Sequence, residues 1–232
     1  MNVQVIKKIA VSAEKEKPEI YYTSMKYFAG ITQFLAWPIA FTYFHLFFKL
    51  KITGKENLNS VSSPFIIISN HVAFYDSFVF RIVFGACTKK LPLRFMAVNQ
   101  FRTLYLNLAS KLFITNIVYA IFGVFVVVRG RGIDKNLEEA VRIMKNGGNV
   151  VVYPEGSIIH GDEIGPFKLG AAALAIKTSA SVIPISMRVG TKGIRKEYTI
   201  NIGEHINVDT SLSRKQVSDI FYNKIKSLHN NK

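Results

Sequence analysis

The feature that most constrains this chain is a set of short, largely apolar runs rich in β-branched residues. Phe65-Ile66-Ile67-Ile68, Val124–Val128, Asn149–Tyr153 and Val182–Met187 show no polar alternation. Strands of this kind are buried on both faces, which requires a parallel sheet with helices above and below it. The stretches between them supply the helices. Asp76–Phe84, Thr103–Phe122, Phe167–Ser179 and Arg214–Leu228 read as helical. After Asp134, expected as an N-cap, Leu137, Ala140, Val141 and Met144 recur at i, i+3, i+4 and i+7, and Gly147-Gly148 supplies the stop. Shorter strands are expected at Arg94–Val98 and Tyr198–Gly203. The fold class is α/β, a mostly parallel sheet flanked by helices.

Ahead of this pattern, Tyr27–Phe48 is 22 residues without a formal charge. As one straight helix it would be about 33 Å long, near the roughly 30 Å hydrocarbon thickness of a bilayer. Pro38 is expected to break or kink it. The segment then reads as a membrane span, as two shorter helices lying in one leaflet, or as a buried helix. The expected organisation is an N-terminal tail and membrane-associating helical segment over residues 1–52 and an α/β domain over 53–232. The first 26 residues are mixed and polar, with no evident cleavable signal peptide. The single cysteine, Cys87, excludes an intramolecular disulfide.

Charge bears on the partners. Thirty Lys and Arg against 15 Asp and Glu give a formal charge of +15, which draws a protein to polyanions. No acidic residue lies between Asp76 and Asp134, although Arg81, Lys89, Lys90, Arg94, Arg102, Lys111, Arg129 and Arg131 do. An acid-free stretch that is also apolar points to a lipid surface.

Ligands of such sheets gather at the carboxyl ends of strands. Three polar clusters fall there: Asn70-His71 with Asp76, Arg129 with Arg131, and Pro154-Glu155-Gly156-Ser157. His71 and Asp76 would diverge on a regular helix and meet only if the chain turns between them. The carboxylate would then hold one imidazole nitrogen and leave the other as a base.

Asn70-His71-Val72-Ala73-Phe74-Tyr75-Asp76 resembles the N-H-x-x-x-x-D block of the glycerolipid acyltransferases, the lysophosphatidic acid acyltransferase (1-acyl-sn-glycerol-3-phosphate acyltransferase) type. Gly123–Arg129 is similar to the second block of that family. Tyr153-Pro154-Glu155-Gly156-Ser157 is similar to the third, F-P-E-G-T-R. Phe167-Lys168-Leu169-Gly170 matches the F-K-x-G element, and Val182-Ile183-Pro184-Ile185 resembles the fourth block. Five elements in order cover roughly residues 50 to 190.

The resemblance implies acyl transfer from acyl-CoA or acyl-carrier protein to the hydroxyl of a lysophospholipid, giving phosphatidic acid in phospholipid biosynthesis. His71 and Asp76 would be catalytic. Asn70, Arg129, Glu155, Gly156, Ser157, Lys168 and Pro184 would bind substrate, with Arg129 on the acceptor phosphate. No metal and no cofactor beyond the thioester co-substrate are expected. The expected partners are the lipid acceptor, the acyl thioester donor and a membrane surface, not nucleic acid. The active site is expected on the cytoplasmic side of a membrane. One position departs from the family pattern: Ile158 stands where an arginine follows the third block, and Ile cannot grip a phosphate bidentately. Either Arg131 or Lys168 compensates, or the acceptor is another lysolipid, such as a lyso-aminolipid or a zwitterionic lysophospholipid.

Three other readings compete. A metal hydrolase would use His71, Asp76, His160 and Asp162, and requires three or four converging ligands. A nucleic-acid module rests on charge alone, without a recognisable motif. A non-catalytic lipid-binding relative leaves the His71/Asp76 pair without a purpose.

Overall fold

The computed structural model describes residues 18–85, 88–98, 119, 122–128, 130–190 and 195–231. The helix expected at Thr103–Phe122 lies outside them apart from Tyr119 and Phe122, as do Cys87 and Arg129.

Seven strands form one sheet in the order β1-β7-β6-β2-β5-β3-β4. They are β1 (Phe48–Thr53), β2 (Phe65–Ser69), β3 (Leu93–Val98), β4 (Phe125–Val127), β5 (Asn149–Val152), β6 (Ser181–Gly190) and β7 (Lys196–Ile202). All neighbours are parallel except β6 and β7. The four apolar runs lie where expected, and β2 and β5 are buried along their whole length. The helices are α1 (Glu19–Phe47), α2 (Asp76–Phe84), α3 (Ile133–Lys145), α4 (Gly170–Thr178) and α5 (Arg214–Asn230). One face of the sheet packs on α3, α4 and α5 around Ile66, Ile68, Val150 and Val182. The other packs on α2 and the end of α1 around Phe65, Ile67, Val151 and Ile183.

Three expectations are corrected. Pro38 does not divide the N-terminal segment: α1 is a single helix of 29 residues running through it. Pro38 is exposed, on the same outer face as Phe34, the residue whose carbonyl loses its partner, so no unpaired backbone group is driven into the core. The inner stripe of Ala29, Gln33, Ala40 and Phe44 is buried. Gln33 donates to the Leu93 carbonyl at 2.7 Å and accepts from the Leu93 N–H at 3.1 Å, while Arg81 Nε donates to the Gln33 carbonyl at 2.8 Å. No helix among the described residues is long and apolar enough to cross a membrane.

Asp134 is not an N-cap. Gly132 occupies that position, and Asp134, in the first turn of α3, pairs with Arg214 at 2.8 Å. Last, Phe48–Thr53 is an edge strand parallel to β7, so the expected division at residue 52 falls inside a strand. Its alternation of buried Phe48 with exposed Lys49 and Lys51 is that of a strand covered on one face, with the lysines guarding the open edge.

Candidate active site

The chain leaves β2 at Ser69 and enters α2 at Asp76, and the residues between form the site. Asn70 comes first. Its side chain is buried and donates to the Met187 carbonyl at 2.8 Å while accepting the Met187 N–H at 2.7 Å. This residue, expected among the substrate-binding residues, pins the end of β2 to β6, with both ends of its amide bonded to Met187.

His71 follows, with its carbonyl accepting the Ile159 N–H at 2.8 Å. The turn from 72 to 75 brings the chain back so that Asp76, the first residue of α2, meets the imidazole. His71 Nδ1 donates to Asp76 Oδ2 at 2.8 Å. The same oxygen accepts the N–H groups of Val72 and Ala73 at 2.8 and 3.0 Å. One carboxylate oxygen thus closes the turn and fixes the imidazole. Among the described residues no group bonds Nε2 of His71, whose side chain keeps 19% of its surface exposed. Such an imidazole is a base with one nitrogen oriented and the other open.

Two tyrosines complete the site. Tyr153, at the end of β5, stacks on the His71 ring with centroids 4.1 Å apart and planes 14° from parallel. Its hydroxyl lies 3.2 Å from Ser77 Oγ. Tyr198, in β7, is fully buried and donates to Asp76 Oδ1 at 2.5 Å. Burial first, and then the negative charge of Asp76, push both phenols well above the usual tyrosine value, so both stay neutral. Sequence reasoning missed Tyr198. The available signal was the alternation of Tyr198, Ile200 and Ile202, which turns this tyrosine inward, where a buried phenol needs a partner.

The Pro154–Ser157 turn lies beside His71, as expected. Glu155 is buried, with one carboxylate oxygen on the His71 N–H at 2.7 Å and the other on the Gly165 N–H at 2.8 Å. Gly156 has φ of 68°, and a Cβ there would collide with the ammonium of Lys168. Lys168 therefore lies over this turn, its N–H on the Pro154 carbonyl at 2.8 Å. Ser157 is exposed. Pro184 is buried within β6 opposite Ile68. Its missing N–H falls between the bridge from Val182 to Ile206 and the ladder to β7 that begins at Ile185. Arg129 lies outside the described residues.

Among the described residues no three His, Cys, Asp or Glu side chains converge on a metal site. Asp162, weighed as a ligand with His71, is committed to Arg188 at 2.6 Å and His229 at 3.1 Å.

The chain is 29% identical over 157 residues to the 1-acyl-sn-glycerol-3-phosphate acyltransferase of Borreliella burgdorferi, covering 67% of this chain and 57% of that protein. It is 28% identical over 167 residues to the chloroplastic 1-acyl-sn-glycerol-3-phosphate acyltransferase LPAT1 of Arabidopsis thaliana, covering 70% of this chain and 42% of that protein. The aligned part is thus less than two thirds of the length of either relative. In fold, it is similar to the crystal structure of the 1-acyl-sn-glycerophosphate acyltransferase PlsC from Thermotoga maritima. That match has a TM-score of 0.55 at 18% identity, over 97% of this chain and 88% of that one. A family model described as Acyltransferase matches residues 49–188, more than half of the chain. With the His71/Asp76 pair at the head of that region, the chain belongs to the Acyltransferase family.

Proposed function

We propose that this protein transfers a fatty acyl group from acyl-CoA or acyl-carrier protein to the free hydroxyl of 1-acyl-sn-glycerol 3-phosphate, giving phosphatidic acid. The observation that carries the reading is the 2.8 Å bond from His71 Nδ1 to a buried Asp76, with Nε2 left open. The names of the relatives favour the acceptor.

Nε2 of His71 takes the proton as the acceptor oxygen attacks the thioester carbonyl. The tetrahedral intermediate collapses, the C–S bond breaks, and the imidazolium returns its proton to the departing thiolate. The products are an ester and a free thiol, with no enzyme nucleophile and no metal in the balance. Asp76 holds the imidazole in the productive tautomer and stabilises its charged form. Lys168, exposed above the Gly156 turn, is placed to meet an anionic group of either substrate, and Arg129 takes the acceptor phosphate by its position in the second block.

Both substrates carry acyl chains, and the outer face of α1 presents Ile31, Leu35, Ile39, Leu46 and Phe47 to the outside. A continuous exposed apolar face of this kind marks an interaction surface. The reading assigns it to the interfacial zone of one leaflet, on the cytoplasmic side, with Lys49 and Lys51 at its end drawn to anionic headgroups.

The test is thiol release from palmitoyl-CoA by detergent-purified protein with glycerol 3-phosphate, lysophosphatidic acid, zwitterionic lysophospholipids and a lyso-aminolipid as acceptors. Lysophosphatidic acid should stimulate release best, and His71→Ala should lower kcat by at least about 10²–10⁴-fold. Wild-type turnover by His71→Ala would refute the mechanism. Preference for another acceptor would keep the chemistry and make Ile158 the mark of a changed headgroup pocket.

A further inference from the structure

We infer that Tyr198 is a positioning residue for acyl transfer, locking the carboxylate of Asp76 so that His71 stays aimed as a base. The inference rests on the reading of His71 as the general base.

The two carboxylate oxygens of Asp76 are divided between different partners. Its Oδ2 takes three donors, the His71 imidazole and two backbone N–H groups of the turn. Oδ1 takes the Tyr198 hydroxyl at 2.5 Å and no other donor among the described residues. A carboxylate held on both oxygens cannot rotate about its Cβ–Cγ bond. Released on one side, it can turn, and the imidazole turns with it. A buried anionic oxygen without a donor is also costly in itself.

Tyr198 is in turn prevented from moving. The rings of Phe44 and Phe48 meet it nearly edge-on, with centroids 5.8 Å away in each case, and Tyr75 lies at 6.2 Å. Its register is keyed to the site. Tyr198 is paired with Val189 across β6 and β7, its hydroxyl lies 3.4 Å from Met187 Sδ, and the backbone of Met187 is bonded both ways by Asn70, the neighbour of His71. The burial that keeps the phenol neutral keeps it a donor. If Tyr198 only filled space, its loss would act on stability and not through His71.

The experiment is a double-mutant cycle on the full chain, with His71→Ala, Tyr198→Phe and the double variant, each checked for folding by thermal melt. Tyr198→Phe is expected to lower kcat about ten- to a hundredfold, with KM for both substrates within about twofold. In the His71→Ala background it is expected to cost nothing further, because the group it positions is gone. Wild-type kcat in Tyr198→Phe, or an equal fold-loss in both backgrounds, would overturn the inference. Wild-type turnover by His71→Ala would instead overturn the underlying reading. Should Tyr198→Phe not fold, 3-fluorotyrosine at position 198 keeps the volume and alters the donor's strength. A changed kcat at constant KM then supports the inference, and an unchanged kcat overturns it.

Discussion

The carboxylate of Glu155 bridges two loops, accepting the His71 N–H at 2.7 Å and the Gly165 N–H at 2.8 Å. The residue that sequence places in the acceptor pocket is therefore a buried clasp behind the base.

Glu155→Gln should loosen that clasp. The amide keeps one acceptor and turns its NH₂ toward the second N–H, leaving a donor unpaired at a cost of about 1–3 kcal/mol. Burial outweighs the two N–H bonds and the nearby His71, and raises the Glu155 carboxyl above its ordinary 4.5. The folded state then holds its proton to higher pH than the unfolded chain does. Its relative stabilisation is complete below pH 4.5 and is lost as pH rises through the folded value. Denaturant midpoints over a pH series should show the gap between wild type and Glu155→Gln widest in acid and narrowing on the way to neutrality. A gap that widened with pH would contradict this.

Tyr153 offers a test of the stack on His71. Tyr153→Phe keeps the ring and should leave kcat within about twofold. Tyr153→Leu removes a contact of the kind worth about 0.5–1.5 kcal/mol, which predicts a loss of about two- to tenfold. Equal kinetics in the two variants would remove the stack from the mechanism.

The outer face of α1 can be changed without touching the site. Leu35 and Ile39 are 63% and 73% exposed. Leu35→Glu with Ile39→Glu should leave the melting temperature near wild type. Burying each apolar side chain is worth about 1.5–3 kcal/mol, so partition onto vesicles containing anionic lipid should fall by at least about a hundredfold. Sedimentation with liposomes reads this directly, and undiminished binding would place the membrane contact elsewhere.

The central strands were legible because Phe65–Ile68 and Val150–Val152 are covered on both sides, and burial of that kind leaves no polar residue in the run. The His71/Asp76 pair was legible once a turn was allowed between them. β1 was hidden because its first residue, Phe48, also closes the uncharged stretch Tyr27–Phe48, so the change of period from helix to strand occurs inside one apolar stretch. Pro38 misled because local propensity says nothing about which face of a helix a missing N–H will meet. Local pattern could mark Tyr198 only as an inward-facing phenol in need of a partner: Asp76 is 122 positions away, and only β7 lying antiparallel on β6 brings the two together.

In the last turn of helix α1 stands Phe44, almost wholly buried, with its ring against Tyr198. The helix that presents an apolar surface outward is thus also a wall of the chamber enclosing the buried Tyr198 hydroxyl. Trimming the chain back to residue 48 to shed that surface would breach the chamber and let water compete for Oδ1 of Asp76. Material prepared for kinetics should keep the whole helix and carry charge only on its outer face.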